Sequence, residues 1–388
     1  VAGHRLQPFR GAVVRQDLAP EVVSPPYDAL SPAQRAEHLA RHPLSYLGVL
    51  QGPDGAPGGD HLAACRRALD RLLAVGAFEP RPEGFVVCRL TQTGHAQTGI
   101  VGEVPLAWVD EGRVRYHEQV RDHRVDEILA HLRYLGVTSS PVVLAHRRAP
   151  GLGAVVEAAA AGRPLRDFTM GDGLRVQLWE LAGRDEAEAV GEALDQAELY
   201  ITDGHHRVEA ARRHRRGIEE RPGRHQHVLG ALFAEDQLRV EPFHRVVASV
   251  GDRFTERLAA AGRLQPTEGP VAPHRQGSFA VAHQRRWWRL DVAAGPDELA
   301  PDVLQRAVLG PLLGIADPSR DPRLGVVPGT AAPQEVAEQA DAVGGAAFLL
   351  HRVSVAQLMV TADQGRTLPP KSTYFVPKMR SGVFLRQG

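Results

Sequence analysis

At 388 residues with 43% hydrophobic content, the chain is long enough for two or three domains with cores of their own. Lys plus Arg and Asp plus Glu number 46 each, so no overall positive field exists to hold a polyanion, and nucleic acid is not an expected partner. No stretch reaches the ~18 apolar residues of a membrane span, the N-terminal Val1-Ala2-Gly3-His4-Arg5 lacks a basic head followed by an apolar run, and Cys65 with Cys88 cannot build a disulfide framework. The expectation is a cytoplasmic small-molecule protein without a membrane partner, its two thiols reduced and buried.

In chain order, the prolines between Pro8 and Asp28 predict an extended edge strand and a stiff turn, Pro25-Pro26-Tyr27-Asp28, able to present Tyr27 and Asp28 to a substrate. Ser31-Pro32 starts a helix with serine as N-cap and proline in the first turn. Leu62, Cys65, Leu69, Leu72 and Leu73 repeat at helical spacing up to Gly76. Phe85 to Leu90 and Gly99 to Val109 read as paired strands with a polar loop, Thr91 to Thr98, between them. Asp122 opens a helix whose buried face is Val125, Ile128, Leu129, Leu132 and Leu135, ending at Gly136. Further strands are predicted at Ser140 to Ala145, Leu174 to Leu181, Val228 to Phe233 and Leu238 to Val247, and helices over Gly151 to Gly162 and Glu186 to Ala197. Beyond Gly251 come a helix, strands Phe279 to His283 and Trp287 to Val292, a helix over Pro301 to Leu313, an ordered loop over Asp317 to Gly329, and a strand over Ala346 to Val353 before a helix capped by Ser354. The Trp287-Trp288 pair reads as a half-buried strand surface.

Chemistry concentrates in Leu199-Tyr200-Ile201-Thr202-Asp203-Gly204-His205-His206-Arg207, where an apolar strand end runs through Asp-Gly into a helix. Such a turn binds anions: glycine lets the backbone approach, the helix start is positive, and an arginine can fork onto phosphate. Asp203 can hold a metal ion, His205 or His206 can stabilise charge, and Glu118, in Tyr116-His117-Glu118, can serve as base or second metal carboxylate. Each has a plainer reading: Asp203 as helix N-cap, Arg207 paired with Glu209 or another surface acid, Glu118 complementing the helix that begins at Asp122. Pro242-Phe243-His244-Arg245 can return a cation to the site. Lysine occurs only at Lys371 and Lys378, in a chain that otherwise uses arginine, which suits compact ammonium groups on a phosphate or carboxylate. No dinucleotide fingerprint, P-loop or His-Glu-x-x-His zinc box occurs.

Ser24-Pro25-Pro26-Tyr27-Asp28, Tyr116-His117-Glu118, Tyr200 to Ala211 and the run from Pro369 to Lys378 together resemble the DUF1015 family. The Asp-Gly-His-His-Arg box is similar to the Gly-x-x-Arg phosphate box of the ParB/sulfiredoxin fold, a group that includes nucleotide-dependent free serine kinases, CTP-using partition proteins and sulfiredoxins. Histidine stands here where a sulfiredoxin places its reactive cysteine. The resemblance implies an α+β fold: mixed sheets with a ParB/sulfiredoxin-like core and additional α/β elaboration. Three regions follow: 1–150 with the Pro-Pro-Tyr-Asp and His-Glu motifs, 151–250 with the Asp-Gly-His-His-Arg box, and 251–388 with the Lys-Ser-Thr-Tyr-Phe motif.

The function implied is a kinase of a small-molecule hydroxyl, serine or a similar hydroxy-amino acid, using ATP or ADP with Mg²⁺. Its alternatives are a ParB-like nucleotide-binding regulatory module and a phosphate-releasing hydrolase. Glu118, Asp203 and His206 are the catalytic candidates, and Asp203 with Glu118 the metal ligands. Gly204, His205, His206, Arg207, Lys371 and Lys378 would hold the nucleotide, and Tyr27, Asp28, His117, His244 and Arg245 the substrate. Self-association is left open.

Overall fold

The computed structural model describes residues 5–26, 30–51, 59–195, 197–218, 223–369 and 371–387. The architecture is mixed α/β with several sheets, divided into two compact units. The first runs to Leu238 and takes in the segment from Pro377, and the second spans Arg239–Val376.

The first unit is built on an eight-stranded sheet in the spatial order Val114–Arg115, Leu199–Asp203, Val142–His146, His227–Ala234, His95–Pro105, Phe85–Gln92, Arg175–Leu181, Arg166–Thr169. Pairing is antiparallel throughout except where Leu199–Asp203 meets Val114–Arg115 and where His227–Ala234 meets Val142–His146. Leu199, Tyr200 and Ile201 are all fully buried, as an unbroken apolar run must be when both faces of its sheet are covered. Phe85, Ile100, Trp108, Leu144, Trp179, Ile201, Val208 and Leu232 share one core. A smaller sheet pairs Phe78–Pro80, Ala12–Val14, Phe384–Gln387 and Val137–Thr138 in that order.

Most expected elements of this unit form. Ser31 accepts from the Gln34 N–H and caps Pro32–Arg41 in a full capping box. Asp122–Leu135 ends on Gly136 in the left-handed region. Cys65 and Cys88 are buried and unbridged. The polar loop expected over Thr91 to Thr98 is replaced by continuing strand. The hairpin closes on Thr93-Gly94 alone, both at positive φ, a two-residue turn whose twist matches the strands. The polar side chains there are largely bonded inside the protein, as His95 to the Gln237 carbonyl and Gln97 to the Pro377 carbonyl.

The second unit holds a fully antiparallel six-stranded sheet ordered Arg263–Thr267, Arg286–Asp291, Ser278–His283, Ala346–Leu349, Phe243–Val247, Leu324–Pro328. Two cores lie against it; Trp288 packs with one and Trp287 with the other, as neighbouring strand residues point to opposite faces.

Three expectations are corrected here. Leu238 to Val247 is not one strand: Arg239–Glu241 pairs with Tyr374–Val376, while Phe243–Val247 enters the six-stranded sheet. Pro242 breaks the run because it has no N–H for a ladder. The loop expected over Asp317 to Gly329 contains the edge strand Leu324–Pro328, a short apolar run obscured by its Pro, Arg and Asp neighbours. The helix expected over Pro301 to Leu313 is α-helical only over Ala300–Leu304 and continues as a π-helical turn, Gln305–Leu309. Among the described residues no helix is long and apolar enough to cross a membrane.

Candidate functional site

The turn that follows Leu199–Asp203 is shaped by its glycine. The strand carries an irregularity between Ile201 and Asp203 against its antiparallel neighbour, and the Thr202 hydroxyl donates to the Val143 carbonyl at 3.1 Å. Gly204 then adopts φ +97° and starts the helix His205–Arg216. The backbone conformation calls for glycine, and a Cβ at Gly204, 2.8 Å from the Arg207 guanidinium, would push that flexible group aside. The N–H groups of His205 and His206 have no helical carbonyl behind them, whereas that of Arg207 donates to the Gly204 carbonyl at 2.9 Å.

Arg207 folds back over the turn. It donates to the Pro141 carbonyl at 2.8 Å and forms a short ion pair with the Asp203 carboxylate. Asp203 is therefore not the helix cap: the cap position is Gly204 and makes no side-chain bond. Glu209 instead pairs with Arg212 and Arg213, so the acid that Arg207 takes is Asp203 rather than Glu209.

The two adjacent histidines diverge. His205 is buried at 4% exposure and packs edge-on against His117, ring centroids 4.5 Å apart. His206 turns outward to the next helix, where its Nε2 accepts the Arg121 N–H at 3.0 Å. Burial pushes His117 down to about 4, against opposing contributions from the Ile201 backbone and Asp203. Burial first, then His117, His206 and Arg207, hold His205 well below the ordinary imidazole range. His206 is lowered too, by burial and then by Arg124 and Arg121. All three rings are thus neutral at neutral pH, so the 3.9 Å approach of His205 Nδ1 to Glu118 Oε2 is a polar contact between a neutral ring and a carboxylate. Nδ1 of His117 and Nε2 of His205 are buried with no hydrogen-bond partner among the described residues. Glu118 itself is 38% exposed on its side chain.

His117, Glu118, Asp203, Gly204, His205, His206 and Arg207 are therefore brought together by the end of one interior strand and the segment leading into Asp122–Leu135. Lys378 lies in the same unit, half-buried. His244, Arg245 and Lys371 belong to the second unit. There Arg245, 4% exposed, donates to the Phe243 and Lys371 carbonyls at 3.2 and 3.0 Å. The Lys371 ammonium stands 5.3 Å over the Phe243 ring, and His244 Nδ1 accepts the Leu350 N–H. Tyr27 and Asp28 lie outside the described residues. Among the described residues no cluster of three or more His, Cys, Asp or Glu side chains is arranged to hold a metal ion.

Sequence reasoning missed a cavity of about 560 Å³ that Arg207 helps to line. Its walls include Ile128 and Leu132 from one helix and Ala211 and His214 from the other, with Arg35, Arg124, Ser140, His227 and Arg386. Of the five apolar positions expected to be buried on Asp122–Leu135, only Val125 and Leu135 are, because Ile128 and Leu132 face this space. Arg207, Ala211 and His214, spaced i, i+4 and i+7, form one stripe of the second helix.

The site is thus a strand-to-helix turn on a mixed sheet, flanked by a carboxylate and neutral imidazoles. The chain belongs to the family described as "Protein of unknown function (DUF1015)", whose model matches residues 6–309. No curated protein matches it in sequence. Among solved structures it is similar to "Free serine kinase in complex with AMP", at 16% identity and TM-score 0.37, covering 71% of this chain and 86% of that one. It is also similar to "SbnI with C-terminal truncation from Staphylococcus aureus", at 12% identity and TM-score 0.39, covering 72% and 85%. A conserved hypothetical protein from Pyrococcus furiosus matches at 16% identity and TM-score 0.37, covering 72% and 92%.

Proposed function

We propose that the protein is a nucleotide-dependent phosphotransferase acting on the hydroxyl of a small metabolite, serine or a similar hydroxy-amino acid. The observation that carries this reading is the turn Asp203 to Arg207: a left-handed glycine at a helix start, beneath a guanidinium, beside the half-exposed carboxylate of Glu118. The donor's phosphates, from ATP or ADP, rest on the N–H groups of the turn and on Arg207, where helix and guanidinium both favour negative charge. Glu118 takes the proton of the acceptor hydroxyl as its oxygen bonds to the terminal phosphorus, and the phosphorus–oxygen bond to the nucleotide breaks. His117 and His205, kept neutral by burial, flank the acceptor without adding charge. Their unpartnered nitrogens are the kind of unmet hydrogen-bonding capacity a polar ligand satisfies. His206 positions the neighbouring helix through Arg121.

The carboxylates of Asp203 and Glu118 are donors of the type Mg²⁺ takes alongside phosphate oxygens, and the ion would neutralise charge on the transferring group. Under this reading the turn and its neighbours form the functional centre of a ParB/sulfiredoxin-like core. The test is to incubate the protein with ATP or ADP, Mg²⁺ and a panel of hydroxy-amino acids and to follow the phosphorus NMR spectrum. A new phosphomonoester signal that depends on the acceptor is expected. Absence of both product and nucleotide turnover overturns the proposal, and turnover to free phosphate without acceptor makes the protein a hydrolase.

A further inference from the structure

The cavity beside Arg207 has a composition that an acceptor site for a small hydroxy-amino acid does not need. Its volume, about 560 Å³, falls in the range of ~300–1,000 Å³ that holds a cofactor-sized ligand. Each of its two helical walls opens with an arginine. Arg124 and Arg207 lie in the opening turns of Asp122–Leu135 and His205–Arg216, and Leu132 and His214 lie two turns further on. At 1.5 Å rise per residue, the step from Arg207 to His214 is about 10 Å.

Between these positions the helical walls carry Ile128 and Ala211 together with Glu127, Leu50 and Leu62 add apolar surface, and Arg35 and Arg386 also line the cavity. His131 and His214 are held below the ordinary imidazole value by burial first of all, so they stand as neutral, flat, polar-edged rings. A slot with the Arg207 guanidinium at one end, apolar surface and neutral imidazole edges along about the next 10 Å, and further polar groups in Glu127, Arg35 and Arg386 offers both the apolar and the hydrogen-bonding surface that a nucleoside phosphate needs.

We infer that this cavity receives the base and ribose of the phosphate donor. The nucleotide then lies along the groove between the two helices, with its phosphates turned over Arg207 toward Gly204, leaving the Glu118, His117 and His205 side to the acceptor. This rests on the phosphotransferase reading but makes a separate claim. A phosphate turn alone would serve any phosphorylated donor, whereas the cavity commits the donor to carrying a planar base.

Two measurements test it. In the first, ADP affinity is determined by calorimetry for the unaltered protein and for Ala211→Phe and Ile128→Trp, which fill the cavity from its two helical walls, with circular dichroism to establish that each variant is folded. At least a tenfold loss of affinity is expected in each folded variant. In the second, 8-azido-ADP is photolysed on the unaltered protein and the attached peptides are identified by mass spectrometry. Labelling within 122–140 or 205–216 is expected; it requires no variant and so survives a folding failure.

Unchanged ADP affinity in the folded variants, or labelling confined to other segments, overturns the inference. If Arg207→Ala still abolishes ADP binding in that case, the phosphotransferase reading stands without the cavity. Failure of the unaltered protein to bind ADP at all overturns both.

Discussion

Arg207 in the first unit is partly exposed and Arg245 in the second is buried, and the two are held differently. In the first, Arg207 is compensated by Asp203, one helical turn before it, and still lines an open cavity. In the second, Arg245 is almost wholly enclosed and donates to the backbone carbonyls of Phe243 and Lys371. Burial alone pulls Arg245 down to about 10, since desolvation disfavours a cation. A charge kept beside a carboxylate and next to empty space is poised to exchange partners with an incoming anion. One that binds main-chain carbonyls in the interior ties strands and loops together. That contrast sets the two arginines apart, although both sequence contexts read as cations near histidine.

The contrast can be broken by substitution. Removing the acid beside the turn has the largest expected effect: Glu118→Gln should lower phosphotransfer at least about 100-fold with ADP affinity retained, measured by phosphorus NMR and calorimetry. Full activity in that variant removes Glu118 from the mechanism. Next, Arg207→Ala should weaken ADP binding by about 10- to 100-fold, as loss of a charge-assisted contact does. Arg207→Lys should recover little of this, because an ammonium cannot span Pro141, Asp203 and a phosphate as a fork does.

Acid should destabilise both units. His117 and His244 have folded values of about 4, below the unfolded 6.5. Their contribution is therefore complete above pH 6.5 and is lost as the unfolded chain takes up protons on the way down to about 4. Each should cost about 2 kcal/mol between pH 7 and pH 5, seen as a fall in the urea midpoint that His117→Gln or His244→Gln flattens.

Smaller effects follow in the backbone-tied region. Arg245→Met should cost about 1–2 kcal/mol of unfolding free energy, because it strands two buried carbonyls, while ADP affinity stays within twofold. A comparable loss of ADP binding would erase the distinction between the two arginines. Gly204→Ala should cost about 1 kcal/mol from the left-handed backbone alone, and it should also displace Arg207, so its ADP affinity falls more than its stability.

Local signals in the sequence were strong wherever a cap, a glycine stop or a strand period acted by itself. The Ser31 capping box, the Gly136 helix end and the Gly204 turn all read directly from residue type. What escaped was set by distant partners. Pro242 divides one apolar run between two sheets, Leu324–Pro328 becomes a strand only by pairing with Phe243–Val247, and the polar flanks of Thr93-Gly94 are strand because their neighbours are.

The candidate site was legible as a motif, since Asp203 to Arg207 are contiguous. The contact between His117 and His205, 88 positions apart, depends on the parallel pairing of Leu199–Asp203 with Val114–Arg115, which no local pattern encodes. The cavity was hidden for a related reason. Ile128 and Leu132 carry the same apolar spacing whether they face a core or a space left for a ligand.

The most direct test of the account is a structure of the protein with ADP and Mg²⁺ bound. Its phosphates should lie on the backbone N–H groups of Gly204 to Arg207 and within reach of the Arg207 guanidinium, with Glu118 on the side open to the acceptor. Phosphates bound elsewhere, with the Asp203–Arg207 turn untouched, would contradict it.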